Sequence, residues 1–389
     1  MGKALRIAFV GSRGIPVTYG GFESHIEEVS QRLINMGFQI YVTCESKRFR
    51  EDTYNGIIRV HSPAIQGKTI TVPTLNDFLA IFHLLIRYPD IDLIQCPPDV
   101  IPAVAILRLF GKKIVASTGG IEWKRPLIRR KYFSPGWKLV STPGSWYLKF
   151  VEWLAVKLSH VVIADSQAIE DYLEKTYQAK NVVFISYGAR ELLNSNISPE
   201  KENEVLSRFG LSCGEYYLTV ARIVAENNID KEIIGFQKSR SGKKLAIVGN
   251  FNEKDGYMKH LLRVRNNDAT TIFLDPIYDK ETLGILRKDC FAYIHAYELG
   301  GTNPTLLEQM LFRKPILAYD VPFHREILQD GGIYFKNDDE LAECIKKLEA
   351  GEFDVQKMGE WQSKRINEEY NWNNVAEKYA TLFRQLLRS

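Results

Sequence analysis

The sequence predicts an α/β protein of two domains, each built on a parallel β-sheet. Short apolar segments alternate with segments of helical period along almost the whole chain, which is the pattern of parallel strands joined by crossover helices. The length of 389 residues fits two domains of about 200 residues each better than one core. A polar stretch without clear periodicity, 191–210, separates the two halves and predicts the linker.

The first half follows one pattern repeatedly. Residues 5–10 predict a buried strand and 11–21 a glycine-rich loop, and the next segment repeats apolar residues at helical spacing until Gly37. Further strands are predicted at 38–44, 91–96, 113–118, 160–165 and 181–186.

The pattern restarts in the second half. Strands are predicted at 216–221, 244–249, 271–274, 291–295, 315–319 and 332–335, and helices at 229–238, 280–288 and 304–312. Asn337 and Asp338 are cap candidates for a later helix that Gly351 ends. We therefore expect an N-terminal domain at 1–189, a C-terminal domain at 190–370 and a final helix at 371–389.

Composition excludes several classes of function. Lysine and arginine total 51 against 47 acidic residues, a net charge of +4, so we expect no nucleic-acid partner. The five cysteines show no metal-ligand or redox spacing, which favours a reduced, cytoplasmic chain. No signal-peptide layout is present, and no apolar run reaches the roughly 18 residues that span a bilayer.

The loop after the first strand is the first candidate site. It lies at the carboxyl edge of the predicted sheet, where ligands bind, and its glycines allow close approach of a ligand or phosphate. The candidate residues for binding a ligand or a phosphate in this loop are Gly11, Arg13, Gly14, Gly20, Gly21 and Glu23. A purely structural turn is the alternative. A dinucleotide site is disfavoured, because the G-x-G-x-x-G spacing is absent and Pro16 interrupts the loop.

Three segments together resemble a known family. They are GSRGIPVTYGGFESHIEEVSQRL at 11–33, GGIEWKR at 119–125 and GGTNPTLLEQM at 300–310, followed by a tail that begins at Tyr370-Asn371-Trp372. This set resembles the rhamnosyltransferase-like subgroup of the group-4 retaining glycosyltransferases over essentially the whole chain. The resemblance implies a GT-B fold, in which two Rossmann-like domains face a cleft and the C-terminal helix crosses back to the first domain.

The resemblance also implies a function. The N-terminal domain would bind a saccharide or lipid-linked saccharide acceptor, and the C-terminal domain a nucleotide diphosphate sugar such as deoxythymidine-diphosphate rhamnose. The reaction would be metal-independent glycosyl transfer with retention, in cell-surface polysaccharide synthesis. We expect no cofactor and no metal, since no cluster of histidine, cysteine or acidic residues has metal-ligand spacing.

Donor-site candidates lie after two strands of the second half. Transfer without a metal leaves negative charge on the departing diphosphate, which fixed cations and N–H groups must meet. Arg222 follows strand 216–221 and suits this role; alternatively it is a surface arginine paired with Glu226. By resemblance a lysine would stand at Asn227, so Asn227 and Asn228 offer only amide donors there.

The loop before helix 304–312 supplies the remaining donor candidates. Gly301, Thr302 and Asn303 precede Pro304, and either Thr302 or Asn303 caps the helix. By resemblance Glu308 holds the ribose hydroxyls of the nucleotide; otherwise it is an ordinary helix carboxylate.

Two further residues are catalytic candidates. Glu122 would orient or deprotonate the acceptor hydroxyl, and His295 would contact the transferred sugar unless it only packs at a strand end. The chain departs from the wider family at Gly300, where that family has a glutamate, and at Gly119, where related enzymes have aspartate or histidine.

Residues 123–157 combine aromatic and basic side chains, with four of the six tryptophans of the chain. Such a segment suits the headgroup level of an anionic membrane, here the inner face of the plasma membrane. Alternatively the aromatics pack internally.

Two other functions share this scaffold: a nucleotide-sugar epimerase, and a non-catalytic nucleotide-binding scaffold protein.

Overall fold

The computed structural model describes residues 4–16, 21–63, 73–193, 197–252 and 255–388. The chain forms two compact units. The first unit contains Met1–Gly120, Trp146–Gly188 and Asn371–Ser389, and the second contains Ile121–Ser145 and Ala189–Tyr370.

The strands alternate with helices as the sequence predicts. The strands are β1 Arg6–Phe9, β2 Gln39–Ser46, β3 Arg50–Tyr54, β4 Ile57–Pro63, β5 Leu93–Cys96, β6 Lys113–Thr118, β7 Val161–Ala164, β8 Val182–Phe184, β9 Tyr216–Val220, β10 Lys244–Val248, β11 Thr271–Leu274, β12 Ala292–His295, β13 Ile316–Tyr319 and β14 Ile333–Phe335. The helices are α1 Gly21–Asn35, α2 Pro73–Arg87, α3 Ile101–Val104, α4 Arg125–Arg129, α5 Pro135–Leu158, α6 Gln167–Tyr177, α7 Pro199–Arg208, α8 Ile229–Ser239, α9 Gly256–Arg265, α10 Lys280–Asp289, α11 Pro304–Met310, α12 Pro322–Leu328, α13 Asp338–Glu349, α14 Val355–Glu368 and α15 Trp372–Arg388.

The first unit is built on an eight-stranded sheet in the order β3-β4-β2-β1-β5-β6-β7-β8. Every pairing is parallel except that of β3 with β4, which is antiparallel. The edge strand β3 and its neighbour β4 form a hairpin that the sequence analysis did not predict, and the chain turns between them at Asn55 and Gly56, both with positive φ.

The C-terminal helix α15 completes the core of the first unit. Val375, Tyr379 and Phe383 are buried in the same apolar cluster as Ile26 and Leu33 of α1. Trp372 begins α15 and packs against the backbone of Gly188, where any side chain would collide with the indole ring. The apolar face of 371–389 therefore belongs to this core.

The second unit contains a six-stranded, fully parallel sheet in the order β11-β10-β9-β12-β13-β14. Strands β9 and β12 are neighbours at its centre, so the loops that follow them emerge side by side at the carboxyl edge. This edge contains most of the predicted donor residues.

Residues 121–145 pack with the second unit, whereas the sequence analysis places them in the N-terminal domain. Arg129 is hydrogen-bonded to Glu226, the Tyr132 ring lies 4.8 Å from that of Tyr257, and the Ile121 amide donates to the Leu299 carbonyl. Contacts with residues about 100 positions later hold this segment, and periodicity within the segment cannot reveal them.

Candidate functional site

Arg222 lies at the carboxyl end of β9 with an exposed side chain. Within the described part of the chain its guanidinium makes no hydrogen bond or ion pair. Glu226, the alternative partner considered above, is fully buried and is bound instead by Arg129 (Nε to Oε2, 2.9 Å), with Arg125 at 3.9 Å. Burial raises the pKa of Glu226, but the hydrogen bond and charge of Arg129 outweigh it and lower that pKa overall. Glu226 is therefore ionised, and Arg222 remains available to a ligand.

The two asparagines after Arg222 are buried and hold the loop in place. Asn227 Nδ2 donates to the Arg222 carbonyl at 2.5 Å, and Asn228 Nδ2 donates to the Ala296 carbonyl at 3.0 Å. Asn228 also has a positive φ of 50° at the start of α8. Asn227 thus closes the loop after β9 on itself and Asn228 joins that loop to the loop after β12, so both amides fix the backbone beside Arg222.

The loop after β12 is closely packed around Gly300. A side chain at Gly300 would collide with the ring of Tyr297, whose hydroxyl accepts a hydrogen bond from Arg125 Nη2 at 2.9 Å. The tyrosine ring therefore fills the place where the wider family carries a glutamate side chain.

The cap of α11 is Asn303 rather than Thr302. Asn303 Oδ1 accepts hydrogen bonds from the Thr305 amide at 3.0 Å and the Thr305 hydroxyl at 2.8 Å. Gly301 and Thr302 are buried just before this cap, and Pro304 is the first helical residue.

A buried arginine holds Glu308. Arg287 of α10 has no exposed surface, and its Nη2 lies 3.1 Å from Glu308 Oε2. Its Nη1 donates to the Thr305 carbonyl at 3.0 Å and to Gln309 Oε1 at 3.3 Å. Burial raises the pKa of Glu308, while the charge of Arg287, followed by that of Arg190, opposes the rise. One face of the Glu308 carboxylate is thus fixed from inside the unit.

Sequence reasoning did not identify Arg287. The available signal was its position on α10, where it continues the buried residues Gly284, Ile285 and Leu286. A cation on an apolar helix face indicates a buried acidic partner, although it does not say which one.

His295 and Glu122 are both engaged within the second unit. The His295 ring is buried, 4.8 Å from the ring of His324 and 6.0 Å from that of Tyr293, and burial holds its pKa well below the usual range. Glu122 lies in a short 3₁₀ turn with its Oε1 2.8 Å from Arg125 Nη2. The burial of His295 fits a packing role, and the catalytic roles of both residues stay predictions.

The first unit contains a cavity of about 230 Å³ at the glycine-rich loop. Gly11, Arg13 and Glu23 line it, whereas Gly14 and Gly21 lie outside its wall and Gly20 lies outside the described residues. Other segments complete the wall: Ser12, Thr43, Cys44, Glu45, Ser62, Asn76, Asp77, Ala80, Asp99 and Val100.

Gly11 allows the close packing of this wall. It has a φ of 85°, and a side chain there would collide with Pro97 and Val100. Gly14, with a φ of 132°, packs against Cys44.

The cavity is strongly acidic, which sequence reasoning missed. Four carboxyl groups line it, those of Glu23, Glu45, Asp77 and Asp99, against the single guanidinium of Arg13. Burial, then the charges of Asp99 and Glu45, raise the pKa of Asp77 to about 7, and burial raises that of Asp99. Of these four residues, Asp99 comes shortly after β5, at the carboxyl edge of the sheet. That position could have identified it as a site residue from the sequence. Among the described residues no group of three histidine, cysteine or acidic side chains is placed to hold a metal ion.

Comparison with known proteins assigns the chain to a family. The profile of Glycosyltransferase Family 4 matches residues 19–189, and that of Glycosyl transferases group 1 matches 212–365. The chain belongs to the family 4 glycosyltransferases. It is accordingly an enzyme that transfers a sugar from a nucleotide donor, and its two parallel-sheet units are those of the GT-B fold.

Several relatives show the range of this fold. The O-antigen chain mannosyltransferase RfbU of Salmonella typhimurium is 25% identical over 260 residues, which cover 64% of this chain and 68% of that protein. Sucrose-phosphate synthase from Thermosynechococcus elongatus superposes with a TM-score of 0.77 at 15% identity, covering 99% of each chain. HepE of Anabaena, solved in complex with UDP, has a TM-score of 0.71 at 15% identity, covering 98% of this chain and 100% of that one.

Proposed function

We propose that this glycosyltransferase moves a hexosyl group, with retention, from a nucleoside diphosphate sugar to a hydroxyl of a saccharide acceptor in cell-surface polysaccharide synthesis. The observation that supports it best is the arrangement at the carboxyl edge of the second sheet. Among the described residues Arg222 has no side-chain partner there, whereas Glu226 of the same loop is bound by Arg129. An unpaired arginine at a strand end suits an anionic ligand.

In this proposal the second unit binds the donor. The bond between the anomeric carbon and the diphosphate oxygen breaks while a bond to the acceptor oxygen forms. Arg222 neutralises the charge that grows on the diphosphate, so no metal ion is required. The acceptor proton passes to the departing phosphate oxygen. Glu308, fixed by Arg287, accepts hydrogen bonds from the ribose hydroxyls, and Gly301 to Asn303 lie beside the diphosphate.

The identity of the transferred sugar is the more specific part of the proposal. The sequence resemblance implies deoxythymidine-diphosphate rhamnose, RfbU is named a mannosyltransferase, and HepE has been solved with UDP-glucose. We take the rhamnose donor as the first candidate and test GDP-mannose and UDP-glucose beside it.

The experiment measures product as well as binding. Each donor is incubated with the full chain and an oligosaccharide acceptor mixture, with chelator present, and the products are analysed by mass spectrometry and by the anomeric NMR signals. A glycoside with the anomeric configuration of the donor is expected. A free or epimerised sugar without a glycoside would indicate an epimerase, and nucleotide binding without turnover a scaffold protein. Arg263→Ala, an exposed arginine of α9, is the matched control for Arg222→Ala.

We also propose that the acceptor is lipid-linked and that α5 lies on an anionic membrane. Leu139, Trp146, Phe150 and Trp153 recur at helical spacing and are 79%, 71%, 53% and 41% exposed, so they form one apolar stripe open to solvent. Exposed lysines and arginines of 130–138 lie beside it in sequence. This combination suits insertion among anionic headgroups. The structure holds no described helix that is long and apolar enough to cross a bilayer.

Vesicle binding tests this part. The full chain is sedimented with vesicles of phosphatidylcholine alone and of phosphatidylcholine with phosphatidylglycerol. Binding to the anionic vesicles only is expected, and equal recovery in both supernatants contradicts it. Leu262→Ser, which alters an exposed leucine of α9, is the control for substitutions in the stripe.

A further inference from the structure

The cavity of the first unit is built from the ends of several strands. Gly11 to Arg13 follow β1, Thr43 to Glu45 close β2, Ser62 lies near the end of β4 and Asp99 follows β5. Helix α2 contributes Asp77 from the side. The carboxyl edge of a parallel sheet is where such proteins bind ligands, and the cavity volume of about 230 Å³ is below that of pockets for larger ligands. The space therefore suits a single ring.

Polar groups that have no protein partner face this space. Thr43 and Ser62 line the cavity, are only 3% and 4% exposed, and make no hydrogen bond through their hydroxyls in the described part of the chain. The carboxyl groups of Asp77 and Glu45 likewise accept no side-chain hydrogen bond there. Hydroxyls that line a cavity and have no partner among the described residues are available to a polar ligand, which would complete their hydrogen bonds.

The loop is not arranged to bind a phosphate. A phosphate would use backbone N–H groups, but the Arg13 amide donates to Glu23 Oε1 at 3.4 Å and the Gly14 amide to Ser12 Oγ at 3.0 Å. Side chains of the loop and of α1 thus already engage two of the amides, among the described residues, that an anion would use. The four carboxyl groups of the wall add repulsion toward any anion.

We propose that this cavity binds an uncharged, hydroxyl-bearing sugar ring of the acceptor and rejects rings that carry a carboxylate or a phosphate. Sugar hydroxyls donate to Asp77, Asp99 and Glu45, while Thr43, Ser62 and Arg13 donate to ring and hydroxyl oxygens. Only the naming of the occupant as acceptor rests on the proposed function. The preference for uncharged rings rests on the cavity itself.

Saturation-transfer NMR on the full chain tests this with matched probes. The probes are the methyl glycosides of glucose, galactose and mannose, the corresponding uronic acids and the corresponding 6-phosphates, at pH 8. At least one neutral glycoside is expected to bind more tightly than both of its anionic counterparts by roughly tenfold or more, because a unit charge a few ångströms from a buried carboxylate changes binding by that order. Equal or tighter binding of an anionic counterpart overturns the proposal, and so does the absence of binding by every neutral glycoside.

Variants locate the binding in the cavity. Ala80→Phe fills the cavity and is expected to abolish binding of the neutral glycoside, and Asp77→Asn with Asp99→Asn is expected to reduce the discrimination against uronic acids at least severalfold. Asp171→Asn, which removes an exposed carboxylate of α6 in the same unit, leaves both unchanged. An unaltered preference in the double variant assigns the selectivity to another site and overturns the proposal.

Calorimetry with UDP and dTDP on the same samples separates this proposal from the proposed function. Retained nucleotide binding shows that the second unit of each variant is folded. A wild-type chain that lacks the neutral-ring preference while it still binds nucleotide refutes the cavity assignment alone, whereas an absence of nucleotide binding in the wild-type chain refutes the donor-site proposal and leaves the ring preference standing.

Discussion

Replacing Arg287 by methionine tests how the donor-side carboxylate is held. Methionine keeps much of the side-chain volume but removes the cation that lies 3.1 Å from Glu308 and over the ring of Tyr293. Glu308 then remains largely buried without its ion-pair partner, and only the weaker effects of the charges of Arg190 and Lys280 are left to oppose the burial. Removing one member of a buried ion pair costs about 3–5 kcal/mol of unfolding free energy, which lowers the melting temperature by roughly 6–20 °C for a unit of this size.

The loss of stability in Arg287→Met depends on pH in a defined direction. Burial already raises the pKa of Glu308, and without Arg287 its folded-state pKa rises further above the unfolded value. Protonation then neutralises the isolated carboxylate in the folded protein. The stability deficit of Arg287→Met relative to the wild type is therefore largest at pH 8 and decreases as the pH is lowered toward 5.

Thermal unfolding of four proteins measures this: wild type, Arg287→Met, Glu308→Gln and the double variant, each at pH 5 and pH 8. The double variant is expected to be more stable than Arg287→Met alone, because it contains no unpaired charge. In nucleotide titrations Arg287→Met should weaken binding of the donor nucleoside diphosphate. A deficit that is the same at both pH values and is not relieved by Glu308→Gln would show that Arg287 acts through packing, and our account of Glu308 would be incorrect.

Three further outcomes follow from the site and the surface. Arg222→Ala is expected to lower kcat for transfer by roughly a hundredfold or more, as loss of one transition-state donor does elsewhere; a rate within threefold of wild type in the donor assay contradicts the assignment. Trp146→Ser, at the centre of the exposed stripe of α5, should reduce sedimentation with anionic vesicles severalfold, and unchanged sedimentation would show that the stripe does not contact lipid. Asp77→Asn should raise the melting temperature by an amount that grows from pH 4 to pH 8, because burial with Asp99 and Glu45 raises the pKa of Asp77 to about 7 and makes its ionisation costly in the folded state; a pH-independent change refutes this.

Local pattern predicted most of the strands and little of the polar network. Strands with strong apolar runs were placed within a few residues, for example 271–274 against β11 Thr271–Leu274 and 113–118 against β6 Lys113–Thr118. The hairpin β3–β4 was missed because β3 is polar at the sheet edge, although Asn55-Gly56 between the two strands is a strong hairpin signal. Helix α9 was missed as well.

Only the fold shows which charged residues form ion pairs. The sequence offered the nearby Glu226 as an alternative partner for Arg222, yet Glu226 is bound by Arg129, 97 residues away. Glu308 was a candidate from its motif, but Arg287 behind it was not. Short sequence distance is a weak guide to pairing in a loop, because the backbone direction decides where each side chain points.

The sequence by itself determined that the chain has two parallel-sheet halves, and it located the loops at their carboxyl edges where ligands bind. Periodicity and loop position are local properties, so they can be obtained from neighbouring residues. Only the tertiary structure decided that Arg222 has no side-chain partner among the described residues, that a tyrosine ring fills the space at Gly300 and that the glycine-rich loop borders an acidic cavity. Each of these depends on side chains from segments far apart in the chain, and strand register brings such segments together only when the sheet is complete.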